Sequence, residues 1–152
     1  MIQKAYIDSV AHIENDFLTK ENIPRQSGIE KSMESRIVFE PKYSMPEAVR
    51  GIEEYKYIWL IWQFSENLSK GWKALVHPAC SADGVYRGVF AARTPFRPNS
   101  LGLSCVELVR IESNREGGKV LIVKGADLMN GTPIFDIKPY IFADCKSENI
   151  IK

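Results

Sequence analysis

The sequence has little of what several common kinds of functional site require. It contains only two histidines and three widely spaced cysteines (Cys80, Cys105 and Cys145), with no Cys-x-x-Cys pair. This content offers neither a zinc site nor a disulfide framework, so we expect no metal and reduced thiols. Two histidines and no nucleophile motif also exclude hydrolysis by a serine–histidine–aspartate triad.

No hydrophobic run is long enough to cross a membrane. The longest apolar stretch, Tyr57–Trp62, is far shorter than the ~20 residues of a membrane-spanning helix. The N-terminus lacks the basic segment and apolar run of a secretory signal. We therefore expect a cytoplasmic chain without a membrane partner.

Neither sign of charge is in excess, because 20 lysines and arginines stand against 19 aspartates and glutamates, for a net charge of +1. This balance excludes a protein that is strongly basic over its whole surface. A local basic patch, or one completed across a dimer, remains compatible with a nucleic-acid partner. At 152 residues and 45% hydrophobic content, the chain is expected to form a single domain, 1–152, with its own core.

Short strands and hairpin turns dominate what is present. Alternating or continuous apolar runs predict strands at Lys4–Ile13, Arg36–Glu40, Tyr57–Phe64, Trp72–His77, Leu101–Val109, Val120–Val123 and Pro133–Tyr140. The glycine-rich strand-to-helix fingerprint of a Rossmann fold is missing. The pattern indicates a mainly β fold, a small antiparallel β-barrel.

One segment carries helix signals. Ser44-Met45-Pro46-Glu47 has the capping serine, early proline and acidic residue of a helix start. Apolar side chains then repeat at helical spacing at Ala48, Val49, Ile52 and Tyr55. We therefore predict one main α-helix beside the barrel.

The stretch Gly88–Ser104 concentrates unusual chemistry. Pro95 and Pro98 stiffen a loop between two strands, because each fixes φ and removes a backbone donor. Arg93 and Arg97 project from this loop and could bind a carboxylate or a phosphate through their guanidinium forks. The alternative is a proline-rich turn whose arginines are only solvated.

Four blocks in the same order resemble one family. GVFAARTPFRPNSLGLS (residues 88–104) is similar to GVFATRSPFRPNPIGLS, and ADLMNGTPIFDIKPY (residues 126–140) is similar to LDLLDGTPVLDIKPY. Pro24-Arg25-Gln26 and Val49-Arg50-Gly51-Ile52, followed by Tyr57-Ile58-Trp59-Leu60, agree as well. The chain thus resembles the TrmO (TsaA-like) family of S-adenosylmethionine-dependent tRNA methyltransferases, in a short form without the C-terminal extension of many bacterial members.

The resemblance implies a TsaA-like β-barrel that methylates the exocyclic nitrogen of N6-threonylcarbamoyladenosine beside the tRNA anticodon. It also implies a homodimer with the site across the interface. Ser65 and Glu66 stand where the family often has His-Gln near the cofactor. The implied S-adenosylmethionine-binding residues are Arg25, Gln26, Ser65, Glu66, Arg93, Cys105, Ala126, Asp127, Leu128 and Met129.

The remaining expected site residues serve the acceptor. Arg97, Asn99 and Lys138 are expected to contact the substrate, whose threonyl carboxylate calls for cations. Asp136 is the candidate base or positioning group; alternatively, it pairs with Lys138 or caps a turn. Asn130 and Ser100 depart from the aspartate and proline of the family pattern, which leaves the acceptor open.

Two other functions fit the same residues. The chain could methylate a different or small-molecule acceptor, for which no continuous basic surface would be needed. It could also bind S-adenosylmethionine as a sensor without turnover. For Trp59 and Trp62, stacking on a base competes with ordinary core packing.

Overall fold

The structure is a computed structural model that describes residues 3–17, 33–78 and 84–146. Its strands are β1 (Ala11–Glu14), β2 (Glu34–Phe39), β3 (Tyr57–Gln63), β4 (Leu75–Val76), β5 (Arg87–Gly88), β6 (Leu101–Ser113), β7 (Lys119–Lys124) and β8 (Pro133–Pro139). Six of them close into an antiparallel barrel in the order β1-β2-β7-β6-β3-β8, while β4 and β5 form a separate two-stranded sheet. The predicted mainly β architecture is confirmed.

The barrel closes where β8 pairs with β1, with Ala11 opposite Ile134. Because side chains alternate along a strand, one side of each strand faces the interior. The interior is filled by apolar side chains with no solvent exposure: Ile13, Ile37, Ile58, Leu60, Leu121, Val123 and Ile134. Burying each such side chain contributes roughly 1.5–3 kcal/mol relative to leaving it exposed.

The predicted main α-helix is wrong. The segment instead forms two 3₁₀-helices, Pro46–Val49 and Ile52–Glu54, and the described ranges contain no α-helix. Gly51 lies between them with a φ of 85°, a left-handed conformation that interrupts helical hydrogen bonding. Val49 and Ile52 still pack against the core, so the apolar spacing identified the buried face but not the kind of helix.

The predictions for Ser44 and for the first strand also differ from the structure. The Ser44 hydroxyl donates to the carbonyl of Pro41 at 3.1 Å rather than accepting from the next turn, so the predicted capping box does not form. The first strand is limited to Ala11–Glu14, shorter than the predicted Lys4–Ile13. Residues 3–8 are exposed instead, and residues 3–7 border a surface groove.

Two absences apply to the described ranges. No helix there combines the length and the hydropathy that crossing a bilayer requires. No three histidine, cysteine or acidic side chains cluster there in a way that could hold a metal ion.

Candidate cofactor and acceptor site

A cavity of about 260 Å³ opens at the end of β3, here called the first cavity. It lies between the 3₁₀-helix Ser65–Lys70 and the segment that connects β7 to β8. Its lining combines apolar and polar residues and includes the acidic residues Glu66 and Asp127: Trp62, Gln63, Phe64, Ser65, Glu66, Asn67, Pro95, Asp127, Leu128, Met129 and Thr132. Five of the ten predicted cofactor-binding residues therefore meet in one cavity.

The β7–β8 connection is held in place by Asn15, which follows β1. The Asn15 side-chain amide donates to the Leu128 carbonyl at 2.9 Å, and its backbone N–H donates to Asn130 Oδ1 at 3.0 Å. Gly131, with a φ of 79°, completes the predicted Asn-Gly turn. Because Ala126 and Leu128 are buried, this wall of the cavity is anchored to the core; Ala126 lies behind the lining rather than in it.

Trp62 forms the wall between the first cavity and a neighbouring one. Its indole N–H donates to Ser104 Oγ at 3.0 Å, and its ring centroid lies 4.3 Å from that of Phe64. The indole lies against the backbone of Gly102 so closely that a Cβ there would be 2.4 Å from the ring. Glycine at this position is therefore required for the observed wall.

The second cavity, of about 520 Å³, lies on the other side of Trp62 and Phe64. It brings together both predicted arginines of the proline-rich loop and the apolar start of β6. Its lining consists of Ile61, Trp62, Phe64, Phe90, Ala92, Arg93, Thr94, Arg97, Leu101, Gly102 and Leu103. Both cavities are on the scale of small-ligand sites.

The two arginines of the loop play different parts. Arg97 Nη1 donates to the carbonyls of Val89 at 2.9 Å and Ala92 at 2.6 Å, so Arg97 fastens the loop to the 3₁₀-turn before it. Arg93 is exposed and has no hydrogen bond or ion pair with any residue that the structure describes. Arg93 therefore presents a free guanidinium fork to the second cavity.

Ser100 ends the loop in a conformation that proline cannot adopt. Its φ is 51°, in the left-handed region, whereas proline is restricted to about −65°. Its N–H donates to the Arg97 carbonyl at 3.2 Å, and its carbonyl accepts from the Phe64 N–H at 2.8 Å. The backbone of Ser100 thus connects the loop to the first-cavity wall, and the N–H bond to Arg97 is the one that the family's proline could not make.

We expect Ser100→Pro to destabilise the fold by about 3 kcal/mol, because it removes a donor and forbids the observed φ. Ser100→Gly should change stability by less than about 1 kcal/mol, since glycine adopts positive φ without strain. Urea unfolding followed by circular dichroism measures both. Equal stability of the proline variant and the wild type would show that the loop has another, equally stable conformation.

Three predicted residues lie outside both cavities, on the outer face of β3, β6 and β8. Lys138 Nζ and Asp136 Oδ2 form an ion pair at 2.6 Å, which is the alternative that the sequence left open for Asp136. Cys105 is exposed next to Trp59 on β3. Partial burial and the charge of Asp144 raise the pKa of the Cys105 thiol, so it stays protonated near neutral pH.

Asn99, the other predicted substrate residue, borders the groove beside residues 3–7 rather than either cavity. Arg25 and Gln26 lie outside the described residues. Sequence reasoning missed Asn67, Thr132 and Pro95 in the first-cavity lining. Asn67 and Thr132 are polar yet buried, a combination that only the folded structure reveals.

The fold and site define a small β-barrel with two adjoining ligand cavities at one end. The family model for the tRNA-methyltransferase O N-terminal domain matches residues 12–145. A solved structure, described as the crystal structure of TrmO, superposes with a TM-score of 0.78 at 31% identity, over 96% of this chain and 62% of that chain. The chain belongs to the tRNA-methyltransferase O N-terminal domain family, as the sequence blocks indicated.

Two curated relatives illustrate the match. The chain is 34% identical over 134 residues to the tRNA (adenine(37)-N6)-methyltransferase of Escherichia coli, covering 88% of this chain and 57% of that protein. It is 36% identical over 129 residues to a Pyrococcus abyssi protein named "Probable S-adenosyl-L-methionine-binding protein", covering 85% of this chain and 64% of that protein. The chain thus spans less than two thirds of the length of either relative.

Proposed function

We propose that the protein is an S-adenosylmethionine-dependent methyltransferase acting on the exocyclic N6 of an adenosine in tRNA. The proposed acceptor is N6-threonylcarbamoyladenosine beside the anticodon. The observation that carries this proposal is the pair of adjoining cavities, which share Trp62 and Phe64 as a common wall. The names of the similar proteins support both the cofactor and the acceptor class.

The first cavity fits the adenosyl part of the cofactor. Trp62 and Phe64 offer ring faces and Leu128 an apolar surface for an adenine. The carboxylates of Glu66 and Asp127 border the same space, where negative charge favours a ligand amino group or a sulfonium. When bound, S-adenosylmethionine supplies an electrophilic methyl group.

The second cavity fits the acceptor and the charged end of a ligand. Arg93 offers a bidentate fork for a carboxylate, and we assign it to the cofactor carboxylate or the rim of its ribose. Arg97 lies nearer the acceptor, with its loop held rigid by its own hydrogen bonds. Methyl transfer needs no covalent enzyme intermediate, so these residues accelerate it mainly by holding the acceptor nitrogen in line.

The acceptor nitrogen must lose its proton as it is methylated. Asp136, the candidate base, is paired with Lys138 on the outer face and borders neither cavity. Within one chain it therefore acts as half of an ion pair, not as a base at the cavities. It can approach a site only from a partner subunit seated against this face.

We further propose a homodimer formed through the outer face of β3 and β6. The outer face is apolar where β6 begins. Leu103 is exposed there by 53%, and Ile61, Trp59 and Cys105 lie nearby on the paired strands. By contrast, the far end of β6 and the neighbouring strands carry ion pairs, in which Arg36 and Arg110 pair with Glu14, Glu34 and Glu112. Because Ile61 and Leu103 also border the second cavity, a copy placed here would cover that cavity and bring its own Cys105 near it.

We expect Leu103→Glu to give a monomer, because it places a charge in the centre of the apolar contact. The control is Leu75→Glu on β4, which removes a similarly exposed leucine outside this face. Light scattering after size-exclusion chromatography gives the mass of each. A dimeric Leu103→Glu variant would exclude this face as the interface.

The test of the function is transfer of labelled methyl from S-adenosylmethionine to two tRNA pools. One pool carries threonylcarbamoyladenosine and the other comes from cells unable to make it. Label only in the first pool is expected. Cofactor binding without label in either pool would overturn the tRNA assignment and favour a small-molecule acceptor or a sensor.

A further inference from the structure

A groove of about 1050 Å³ borders the two cavities and has no role in the function proposed above. It lies between the N-terminal residues 3–7 on one side and Leu68 and Trp72 on the other, with the end of the proline-rich loop as its floor. Its lining consists of Gln3, Lys4, Ala5, Tyr6, Ile7, Gln63, Leu68, Gly71, Trp72, Arg97, Pro98, Asn99, Ser100, Leu101 and Phe135. We call it the N-terminal groove.

The charged residues that line the N-terminal groove are all positive. Lys4 and Arg97 line it, and none of its described lining residues is acidic. The whole chain is nearly balanced, with a net charge of +1, so this local excess is not a consequence of composition. Gln63 and Asn99 add neutral side-chain donors, which suit phosphate and sugar oxygens. The charge pattern favours a polyanionic strand over a cationic or apolar ligand.

Two aromatic side chains project into the same groove. The exposed fraction of Tyr6 is 98% and that of Trp72 is 57%. Neither side chain has a ring contact or a hydrogen bond within the part of the chain that the structure describes. Exposed aromatic rings beside cations are the usual means of binding single-stranded nucleic acid, because every base has a face that can stack.

The N-terminal groove borders both cavities. Arg97 and Leu101 line the groove and the second cavity, and Gln63 lines the groove and the first cavity. A nucleotide next to an acceptor base in the second cavity would therefore lie close to the groove, with Arg97 and Leu101 at the boundary.

We propose that the N-terminal groove binds the single-stranded nucleotides that flank the acceptor base in an RNA loop. Trp72 and Tyr6 stack on their bases, and Lys4 faces a phosphate. This inference rests on the proposed function, because it takes the second cavity as the acceptor site. Under this proposal, residues of the described domain contact RNA outside the acceptor base.

The test is direct binding of a stem-loop RNA, with the modified adenosine in its loop, to the whole protein. We expect Trp72→Ala to raise the Kd about tenfold, the loss of one stacked base, and Trp72→Phe to restore most of the affinity. We expect Lys4→Gln to lower the slope of log K against log salt by about 1, the loss of one phosphate contact. The affinity for S-adenosylhomocysteine should stay unchanged in all three variants.

Tyr86→Ala is the matched control, because Tyr86 is an exposed aromatic residue close in sequence that does not line the groove. Equal RNA affinity of Trp72→Ala, Tyr86→Ala and the wild type would overturn the groove proposal, whether or not the protein methylates tRNA. Conversely, RNA binding that depends on Trp72, without methyl transfer to either tRNA pool, would support the groove and reject the proposed function.

Discussion

Gly102→Ala is expected to destabilise the fold by about 1–3 kcal/mol and to weaken cofactor binding at least tenfold. An added methyl group would lie 2.4 Å from the Trp62 ring, a distance at which the indole must move. Forcing extra volume into a packed site has a cost of this size. Trp62 cannot move freely, because it is hydrogen-bonded to Ser104 and packed against Phe64. Urea unfolding and calorimetric titration with S-adenosylhomocysteine measure the two effects.

Gly88→Ala is the matched control for this substitution. A Cβ on Gly88 would meet no atom within 4 Å, and its φ of −59° suits any residue. We expect its stability to stay within about 0.5 kcal/mol of the wild type. If Gly102→Ala behaves like Gly88→Ala in both measurements, the indole does not form a fixed wall between the cavities.

A double substitution separates the clash from other effects of the methyl group. Trp62→Leu alone should destabilise the protein, because it loses ring contacts and the hydrogen bond to Ser104. When it is combined with Gly102→Ala, the two costs should not add, since the smaller side chain leaves room for the methyl group. Additive costs would mean that Gly102 acts through its backbone rather than through Trp62.

Most strands could be predicted because their signals are local. The apolar run of β3 and the turns on either side of β7 define those elements without tertiary information. The prediction of a main α-helix was wrong because Gly51 takes a left-handed φ, which the apolar spacing around it does not reveal. The prediction of a strand was wrong for residues 4–10, because β1 pairs with β8 only from Ala11 onward and register depends on the partner strand.

Some residues of the candidate site could likewise be predicted from local sequence, whereas others depend on contacts between strands. Asp127, Leu128 and Met129 lie in one sequence block, so the resemblance identified them together. The contact of Trp62 with Gly102 joins two strands, and no local pattern distinguishes that tryptophan from the neighbouring Trp59. Trp59 points to the outer face instead, where its N–H donates to Asp144. The resemblance likewise named Cys105, whose outward direction depends on the register of β6.

The outward position of Cys105 bears on the oligomeric state. Cys105 borders neither cavity of its own chain, yet the resemblance assigns it to the cofactor site. A two-fold dimer through the outer face of β3 and β6 would reconcile the outward position of Cys105 with this assignment, because each subunit would then present Cys105 to its partner. The light-scattering test on Leu103→Glu thus also tests whether Cys105 can take part in a site.

Arg93→Ala is expected to lower methyl transfer about a hundredfold. The guanidinium has no partner among the described residues, so its removal leaves no buried group unpaired and the loss falls on the ligand that it binds. A charge-assisted bidentate pair contributes enough binding energy for such a loss. Arg115→Gln, in the exposed turn between β6 and β7, is the matched control and should keep wild-type activity.

The kinetic pattern of the Arg93 variants identifies the ligand group that Arg93 holds. If it binds the cofactor carboxylate, the KM for S-adenosylmethionine and the Kd for S-adenosylhomocysteine rise together, while the KM for tRNA stays constant. If it binds the threonyl carboxylate instead, only the KM for modified tRNA rises. Arg93→Lys should recover part of the activity, because lysine keeps the charge but lacks the planar fork. Wild-type rates in Arg93→Ala would show that Arg93 holds neither carboxylate and would remove the second cavity from the proposed site.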